Sequence, residues 1–199
     1  RFIRGNASIR DLLILSFLGL LLLKTRAIGA VFFVAAFIYF LIHRQWKNLK
    51  FFSLISLLMV LVWDGLTHFV LNDNSSIVMS QMMGLLRENP YDASLGMADI
   101  SLVFQRLFYN FNEYISKHVF QMLAIRGRGA IEANWIFSIL TIAIVLAAVL
   151  LNRSRKKIIS FSLIYLGIGM FIVFMTPRMW SQSRFIHPFI PIIYIVLIY

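Results

Sequence analysis

The sequence contains no cysteine, which excludes disulfide bonds and thiolate metal sites. Charged residues are also scarce, at 14% of the chain, and they fall mostly between apolar blocks. Motifs of soluble enzymes are missing: we find no glycine-rich phosphate loop, no nucleophile elbow and no His–Glu pair at helical zinc spacing. The four dispersed histidines predict no metal site and no cofactor is evident, although segments beyond this chain would be able to supply ligands for a divalent metal.

Apolar residues make up 60% of the chain, whereas a water-soluble domain has about 45–50%. They lie in long blocks, so the sequence predicts an all-α, polytopic integral membrane protein. The net charge of +11 then reflects cytoplasmic loops and anionic lipid headgroups. We predict membrane lipid as a partner and no nucleic acid, because no basic stretch lies in a soluble module.

Six apolar segments predict about six membrane spans, at residues 11–23, 27–42, 51–69, 135–151, 158–175 and from about 186 onward. The chain then has three parts: spans one to three in residues 1–69, an extracytoplasmic loop in 70–134, and spans four to six in 135–199. The first two segments are short for full spans. They either borrow flanking residues around a tight turn at "KTRAIG" or form one re-entrant element.

The distribution of lysine and arginine predicts a cytoplasmic N-terminus, because cytoplasmic loops are enriched in these residues. The inner stretches then carry most of them: Arg1, Arg4, Arg10, Arg44, Lys47, Lys50, Arg153, Arg155, Lys156 and Lys157. The membrane would be a bacterial or archaeal plasma membrane or the endoplasmic reticulum. We also expect the chain to be part of a longer protein, since it begins at Arg1 and its last apolar run is too short to cross a bilayer.

The long loop predicts two helices. One covers 75–89 and ends at Pro90. The other is capped by Asp99 and is amphipathic, with its apolar positions at three- and four-residue spacing: Ile100, Val103, Phe104, Leu107, Phe108, Phe111, Ile115 and Val119. We expect it to lie in the membrane interface or to cover the bundle from outside, two arrangements that are compatible.

Polar residues within or beside apolar segments are the candidate site residues, because they are costly in lipid. Asp64 and His68 share one helix face, as a local hydrogen bond or as a proton-handling or substrate-contacting pair. Four cations fall in the short predicted outer loops: Lys24, Arg26, Arg178 and Arg184. Arginine suits phosphate oxygens, so this group indicates either a lipid-phosphate site or ordinary snorkelling to headgroups.

Two short motifs resemble those of a known family. "SRFIHPFIPIIYIVL", through Arg184, Phe185, Pro188 and Pro191, looks like the Arg-aromatic-x-x-Pro-x-x-Pro segment that opens a late membrane helix in GT-C superfamily glycosyltransferases, which include the protein mannosyltransferase-like enzymes. "KTRAIG", through Thr25, Arg26 and Gly29, resembles their Thr-Arg-x-x-Gly turn.

The resemblance implies a donor that is a dolichyl- or polyprenyl-phosphate sugar and an acceptor whose identity stays open. Arg184 would neutralise the phosphate leaving group, assisted by Arg26, with Arg178 and His187 nearby in the lipid-phosphate site. The family's acidic residue lies in the first outside loop, but that loop here is only "KTRAIG" and holds no acidic pair. The catalytic carboxylate is therefore expected in N-terminal spans that precede this chain. The alternatives are a transporter or flippase for a lipid-linked or anionic solute, and a structural membrane subunit.

Overall fold

The computed structural model describes residues 7–25, 27–70, 83–122, 132–151, 156–178 and 185–198. The described residues are mostly helical, as the sequence predicts, with one small two-stranded sheet. The chain divides into two compact units, unit 1 at residues 1–82 and unit 2 at residues 83–199.

The described part of unit 1 contains three α-helices, α1 (Ile9–Thr25), α2 (Ala30–Ile42) and α3 (Trp46–Val70), and a short 3₁₀ turn (Ala27–Gly29) before α2. Helix α1 begins after Ser8 because the hydroxyl of Ser8 accepts from the backbone N–H of Asp11, while the Asp11 carboxylate accepts from the backbone N–H of Ser8. This reciprocal pair satisfies N–H groups that have no partner inside the helix. Helix α3 starts five residues before the predicted 51, so Lys47 and Lys50 lie in its first turns.

The three helices of unit 1 pack against one another. The ring of Phe52 on α3 lies between two aromatic rings of α2, with centroids 5.6 Å from Phe40 and 6.0 Å from Phe33. Helices α1 and α3 are joined by a buried hydrogen bond of 2.9 Å between the hydroxyls of Ser16 and Ser56. A buried hydroxyl needs such a partner, so this pair fixes which faces of the two helices meet.

Unit 2 begins with a helical turn at residues 83–86, followed by an antiparallel hairpin of β1 (Arg87–Asn89) and β2 (Asp92–Met97). The predicted helix over 75–89 is therefore wrong at its end; residues 75–82 lie outside the described part. The cause is local turn chemistry. The side chain of Asn89 accepts from the backbone N–H of Tyr91, and the side chain of Asp92 accepts from that of Ser94, both at 2.9 Å. Such Asx contacts on either side of Pro90 favour a turn over a helix.

The rest of unit 2 is helical. Helix α4 (Ile100–Glu113) continues through a π-helical turn (Tyr114–His118) into the short α5 (Val119–Met122). Then come α6 (Trp135–Leu151), α7 (Lys156–Phe174), a 3₁₀ turn (His187–Phe189) and α8 (Ile190–Ile198). Helix α4 packs on α7, the π turn packs on α6, and α8 packs on both α6 and α7.

Two described helical stretches are long and apolar enough to cross a membrane, Trp46–Phe69 in α3 and Lys157–Phe174 in α7. Shorter apolar helices cover Ala30–Ile42, Trp135–Leu150 and His187–Leu197. Helices lie at or near the six predicted segments, but the arrangement of six full spans stays a prediction.

Candidate functional site

Helix α4 begins where the sequence predicts. The side chain of Asp99 accepts a hydrogen bond of 2.7 Å from the backbone N–H of Leu102 and caps the first turn. The predicted cap is therefore confirmed. It satisfies a backbone N–H that has no partner inside the helix and so fixes where α4 begins.

The faces of α4 are arranged opposite to those of a helix in a soluble protein. Its large apolar side chains at Ile100, Phe104 and Phe108 are exposed, by 77%, 55% and 66%. Its polar side chains Arg106 and Asn110 are buried, at 2% and 0% exposed. A contiguous exposed apolar surface beside a polar interior is typical of contact with lipid or a partner rather than water. We call Ile100, Phe104 and Phe108 the outer apolar face.

Arg106 holds the hairpin against α4. Its guanidinium donates to the backbone carbonyls of Leu85, Arg87 and Glu88 at 3.1, 2.8 and 2.9 Å. Burial lowers the pKa of Arg106, and the Glu88 carboxylate opposes that shift. Three carbonyl acceptors compensate much of the cost of burying the cation. Arg106 is therefore a structural residue, and its exposure is too low for a surface anion site.

Asn110 joins α4 to the end of α7. Its amide nitrogen donates to the carbonyls of Phe174 and Thr176 at 2.9 and 2.7 Å. The last carbonyls of a helix have no partner within the helix, so this side chain caps α7. Because α7 holds a candidate membrane span, the contact places α4 beside one end of that span.

Arg178, a predicted lipid-phosphate residue, lies just after that capped end and is exposed. Its guanidinium carbon is 4.5 Å from the centroid of the Tyr109 ring. This is a cation–π contact, which attracts the guanidinium to the ring face without using its N–H groups as hydrogen-bond donors. Tyr109 is not among the predicted site residues, because its contact with Arg178 has no signature in the sequence.

The proline-containing segment has the form expected of the start of a helix. Pro188 lies in the 3₁₀ turn, and Pro191 is the second residue of α8, so neither interrupts the helix. The ring of Phe189 is fully buried and packs on Gly169, where any side chain would overlap it. This packing holds the turn on α7 and leaves His187 exposed.

Two predicted phosphate-binding residues, Arg26 and Arg184, lie outside the described residues, as does part of each motif. Thr25 and Gly29, which lie in the described part of "KTRAIG", both have a structural role. The Thr25 hydroxyl donates to the Leu22 carbonyl at 2.9 Å, and a side chain at Gly29 would overlap the backbone of Leu22 and Leu23. Thr25 and Gly29 thus close the α1–α2 turn tightly, independently of any ligand.

The carboxylate of Asp64 accepts from the ammonium group of Lys24, which joins α3 to α1. The neighbour of His68 is the ring of Phe69, with centroids 5.1 Å apart. No hydrogen bond joins Asp64 to His68 in the described structure, and a functional role for this pair stays a prediction. The ion pair neutralises Lys24 and so removes it from the free cations of unit 1.

No group of three or more histidine, aspartate or glutamate side chains suited to a metal ion lies among the residues that the structure describes. Comparison with known proteins finds no matching family, no matching curated protein and no matching solved structure. A function for this chain therefore has to be argued from its own residues and their geometry.

Proposed function

We propose that this chain is part of a membrane glycosyltransferase that moves a sugar from a polyprenyl-phosphate carrier to an acceptor at the outer membrane face. Within it, unit 2 binds the phosphate of the carrier at the membrane surface. The observation that supports this most is the position of Arg178, which is exposed, stacked on Tyr109 and next in the fold to the outer apolar face of α4.

The carrier has two chemically different parts, and unit 2 offers a suitable surface for each. The guanidinium of Arg178 suits the phosphate, because it presents paired N–H groups to two oxygens at once. Phe104 and Phe108 suit the hydrocarbon tail, because apolar surface removed from water favours binding by about 25 cal/mol per Å². Asn110 ties α4 to the end of α7 and so keeps the two surfaces together.

The same cation would aid chemistry as well as binding. When the sugar leaves the carrier, negative charge increases on the phosphate oxygens, and fixed cations stabilise that charge. The resemblance of "SRFIHPFIP" to the family segment assigns this task to Arg184, with Arg26 assisting, while Arg178 and His187 belong to the same proposed lipid-phosphate site. The acid or base that activates the acceptor lies, in this proposal, in the longer protein.

Binding is tested first. The chain is placed in lipid nanodiscs and titrated with undecaprenyl phosphate, with undecaprenol as the ligand that lacks the phosphate. We expect Arg178→Ala to weaken undecaprenyl phosphate binding about tenfold, since a charge-assisted contact contributes roughly 1.4 kcal/mol or more. Arg10→Ala, an exposed arginine in the first turn of α1, is the control and should leave binding unchanged. Equal affinity for phosphate and alcohol, or equal loss in both variants, would contradict the proposed site.

Activity is tested in the full-length protein with a polyprenyl-phosphate sugar as donor. Arg184→Ala should abolish sugar transfer while the protein still inserts into the membrane. If carrier moves across the bilayer and no sugar is transferred, the protein is a transporter. Unchanged transfer in Arg184→Ala would remove Arg184 from the site.

A further inference from the structure

The π-helical turn Tyr114–His118 sets an unusual spacing between ionisable side chains. In a regular α-helix, each residue turns by about 100° around the helix axis. Five residues therefore turn by one full circle plus about 140°, so their side chains point in clearly different directions. The wider π turn brings positions i and i+5 close together. As a result, Nε2 of His118 lies 4.0 Å from Oε1 of Glu113. Single π turns within α-helices are frequent at functional sites.

Glu113 has a second partner on the same oxygen. The Lys117 ammonium lies 2.7 Å from Oε1 of Glu113, at the ordinary i,i+4 spacing. The side chains of His118 and Glu113 are 8% and 12% exposed, whereas that of Lys117 is 30% exposed. One carboxylate oxygen thus lies between a buried imidazole and a lysine that reaches water.

The imidazole of His118 has its two nitrogens in different situations. Nδ1 lies 3.2 Å from Oε1 of Gln121, an acceptor, so the hydrogen of the neutral ring is assigned to Nδ1. Nε2 then carries a lone pair, is buried, and has no hydrogen-bond partner in the described structure. Two acceptors, Nε2 and the Glu113 carboxylate, therefore face each other with no hydrogen between them. A buried acceptor without a partner is costly, and a proton on Nε2 would satisfy both atoms.

The described elements around His118 offer few other groups that could take up a proton near its Nε2 atom. Helix α6, which packs on the π turn, has no ionisable residue along its length. The ring of Tyr114 packs beside the imidazole at a tilt of 55°, with centroids 4.9 Å apart. Glu132, which precedes α6, is exposed. Burial lowers the pKa of His118; the Gln121 hydrogen bond and the Glu113 charge raise it, and Lys117 lowers it further.

We propose that Glu113 and His118 form a proton-binding site that controls the availability of the Lys117 ammonium. On acidification, Nε2 of His118 takes up a proton and donates a hydrogen bond to Oε1 of Glu113. The carboxylate then binds its new cationic partner, and its contact with Lys117 weakens. The Lys117 ammonium is released toward water, where it can bind an anionic group.

The backbone around the turn is held in place, so it can accommodate this change without unfolding. The Ser116 hydroxyl accepts from the backbone N–H of Asn134, and the Ser138 hydroxyl donates to the Asn112 side chain, both at 3.0 Å. These bonds fix the backbone of the turn against the start of α6. The response to protonation is therefore confined to the side chains of Glu113, Lys117 and His118. This site is independent of sugar transfer.

The experiment follows the histidine and the lysine separately. The chain is labelled with ¹⁵N-histidine and with ¹³C-methyl groups on its lysines, placed in detergent micelles, and titrated from pH 8 to pH 4. The ¹⁵N signal that is lost in His118→Gln belongs to His118, and the ¹³C-methyl signal that is lost in Lys117→Met belongs to Lys117. We expect His118 to titrate with a midpoint below 6.5, and the Lys117 methyl signal to move with the same midpoint. In His118→Gln, the Lys117 signal should no longer show that transition.

Two further variants test how the charges of Glu113 and Lys117 affect the titration midpoint of His118. Glu113→Gln should lower the His118 midpoint by about one pH unit, because an opposite charge within 4–6 Å favours the protonated form by that order. Lys117→Met should raise the midpoint, because it removes a competing cation. Unchanged tryptophan fluorescence checks that each variant is folded. A His118 midpoint that is the same in wild type and Glu113→Gln, or a Lys117 signal that moves equally in His118→Gln, would overturn the proposal.

Discussion

The side-chain amide of Asn110 donates a hydrogen bond of 2.7 Å to the backbone carbonyl of Thr176. The two residues are 66 positions apart, and the asparagine is fully buried. Through this bond, a helix whose exposed face is apolar is held at the end of an apolar helix long enough to cross a membrane. The interface position that the sequence predicts for α4 thus has a specific attachment point.

Replacing Asn110 by aspartate should destabilise unit 2. The carboxylate keeps the shape of the side chain but cannot donate at neutral pH, so it would face the carbonyls of Phe174 and Thr176 as a third acceptor. We expect a loss of about 1–3 kcal/mol in the free energy of unfolding, measured by denaturant titration in micelles. Gln105→Glu makes the same chemical change at an exposed position of α4 and should have little effect. Equal losses in the two variants would show that Asn110 has no special role.

Gly29→Ala should disturb the α1–α2 turn, because its methyl group would overlap the backbone of Leu22 and Leu23. Backbone atoms cannot move aside as a flexible side chain can, so the turn itself must shift. Gly65→Ala is the matched control: its methyl group meets nothing within 4 Å, and alanine is the better helix former by about 1 kcal/mol. We expect a lower melting temperature for Gly29→Ala and an equal or higher one for Gly65→Ala. The opposite order would disprove the tight turn.

Arg106→Met should release the hairpin from α4. Methionine fills similar space but leaves the carbonyls of Leu85, Arg87 and Glu88 without their donor, which removes three hydrogen bonds of the buried guanidinium. Limited proteolysis near residues 87–97 should become several times faster, because the free energy of local opening falls by at least about 1 kcal/mol. Arg87→Lys retains the backbone carbonyl and serves as the control. Cleavage at an unchanged rate in Arg106→Met would mean that the hairpin is held by other contacts.

The stability of unit 2 should decrease as the pH falls below about 6.5. Burial lowers the pKa of His118 in the folded state, so the unfolded chain binds the proton more readily in this range. The free energy of unfolding is then highest above the unfolded pKa and decreases until the pH passes below the folded one. His118→Gln should flatten this part of the stability curve, and His187→Gln, at an exposed histidine, should not. A curve of the same slope in His118→Gln would assign the effect to other groups.

Local features of this protein were predictable because they depend on residues close together in the chain. The cap at Asp99, the bounds of α6 at residues 135–151 and the tolerance of Pro188 and Pro191 are of this kind. The hairpin at Pro90 was missed although its cause is also local. The helical spacing of "SSIVMSQMMGLLREN" masked the turn chemistry of Asn89 and Asp92.

The candidate site was predictable only in part. Arg178 and His187 are exposed as a binding role requires, but the contact of Arg178 with Tyr109 joins the segment after α7 to α4 and has no sequence signature. Arg26 and Arg184, on which the family resemblance mainly depends, lie outside the described residues. The role of Arg184 is a prediction that the transfer experiment addresses, and the role of Arg26 stays a prediction.

Composition and periodicity alone determine that this chain is apolar and mostly helical, and they predict a membrane location, because they act through hydration and the helical repeat. Which of its polar residues are structural depends on the tertiary fold. Arg106 and Asn110 look like surface residues in the sequence, yet both are buried, since their acceptors are carbonyls supplied by other elements of the fold. Likewise, Glu113 and His118 become neighbours only because one turn of the helix is wider than the α-helical repeat, which changes the angle between side chains five residues apart.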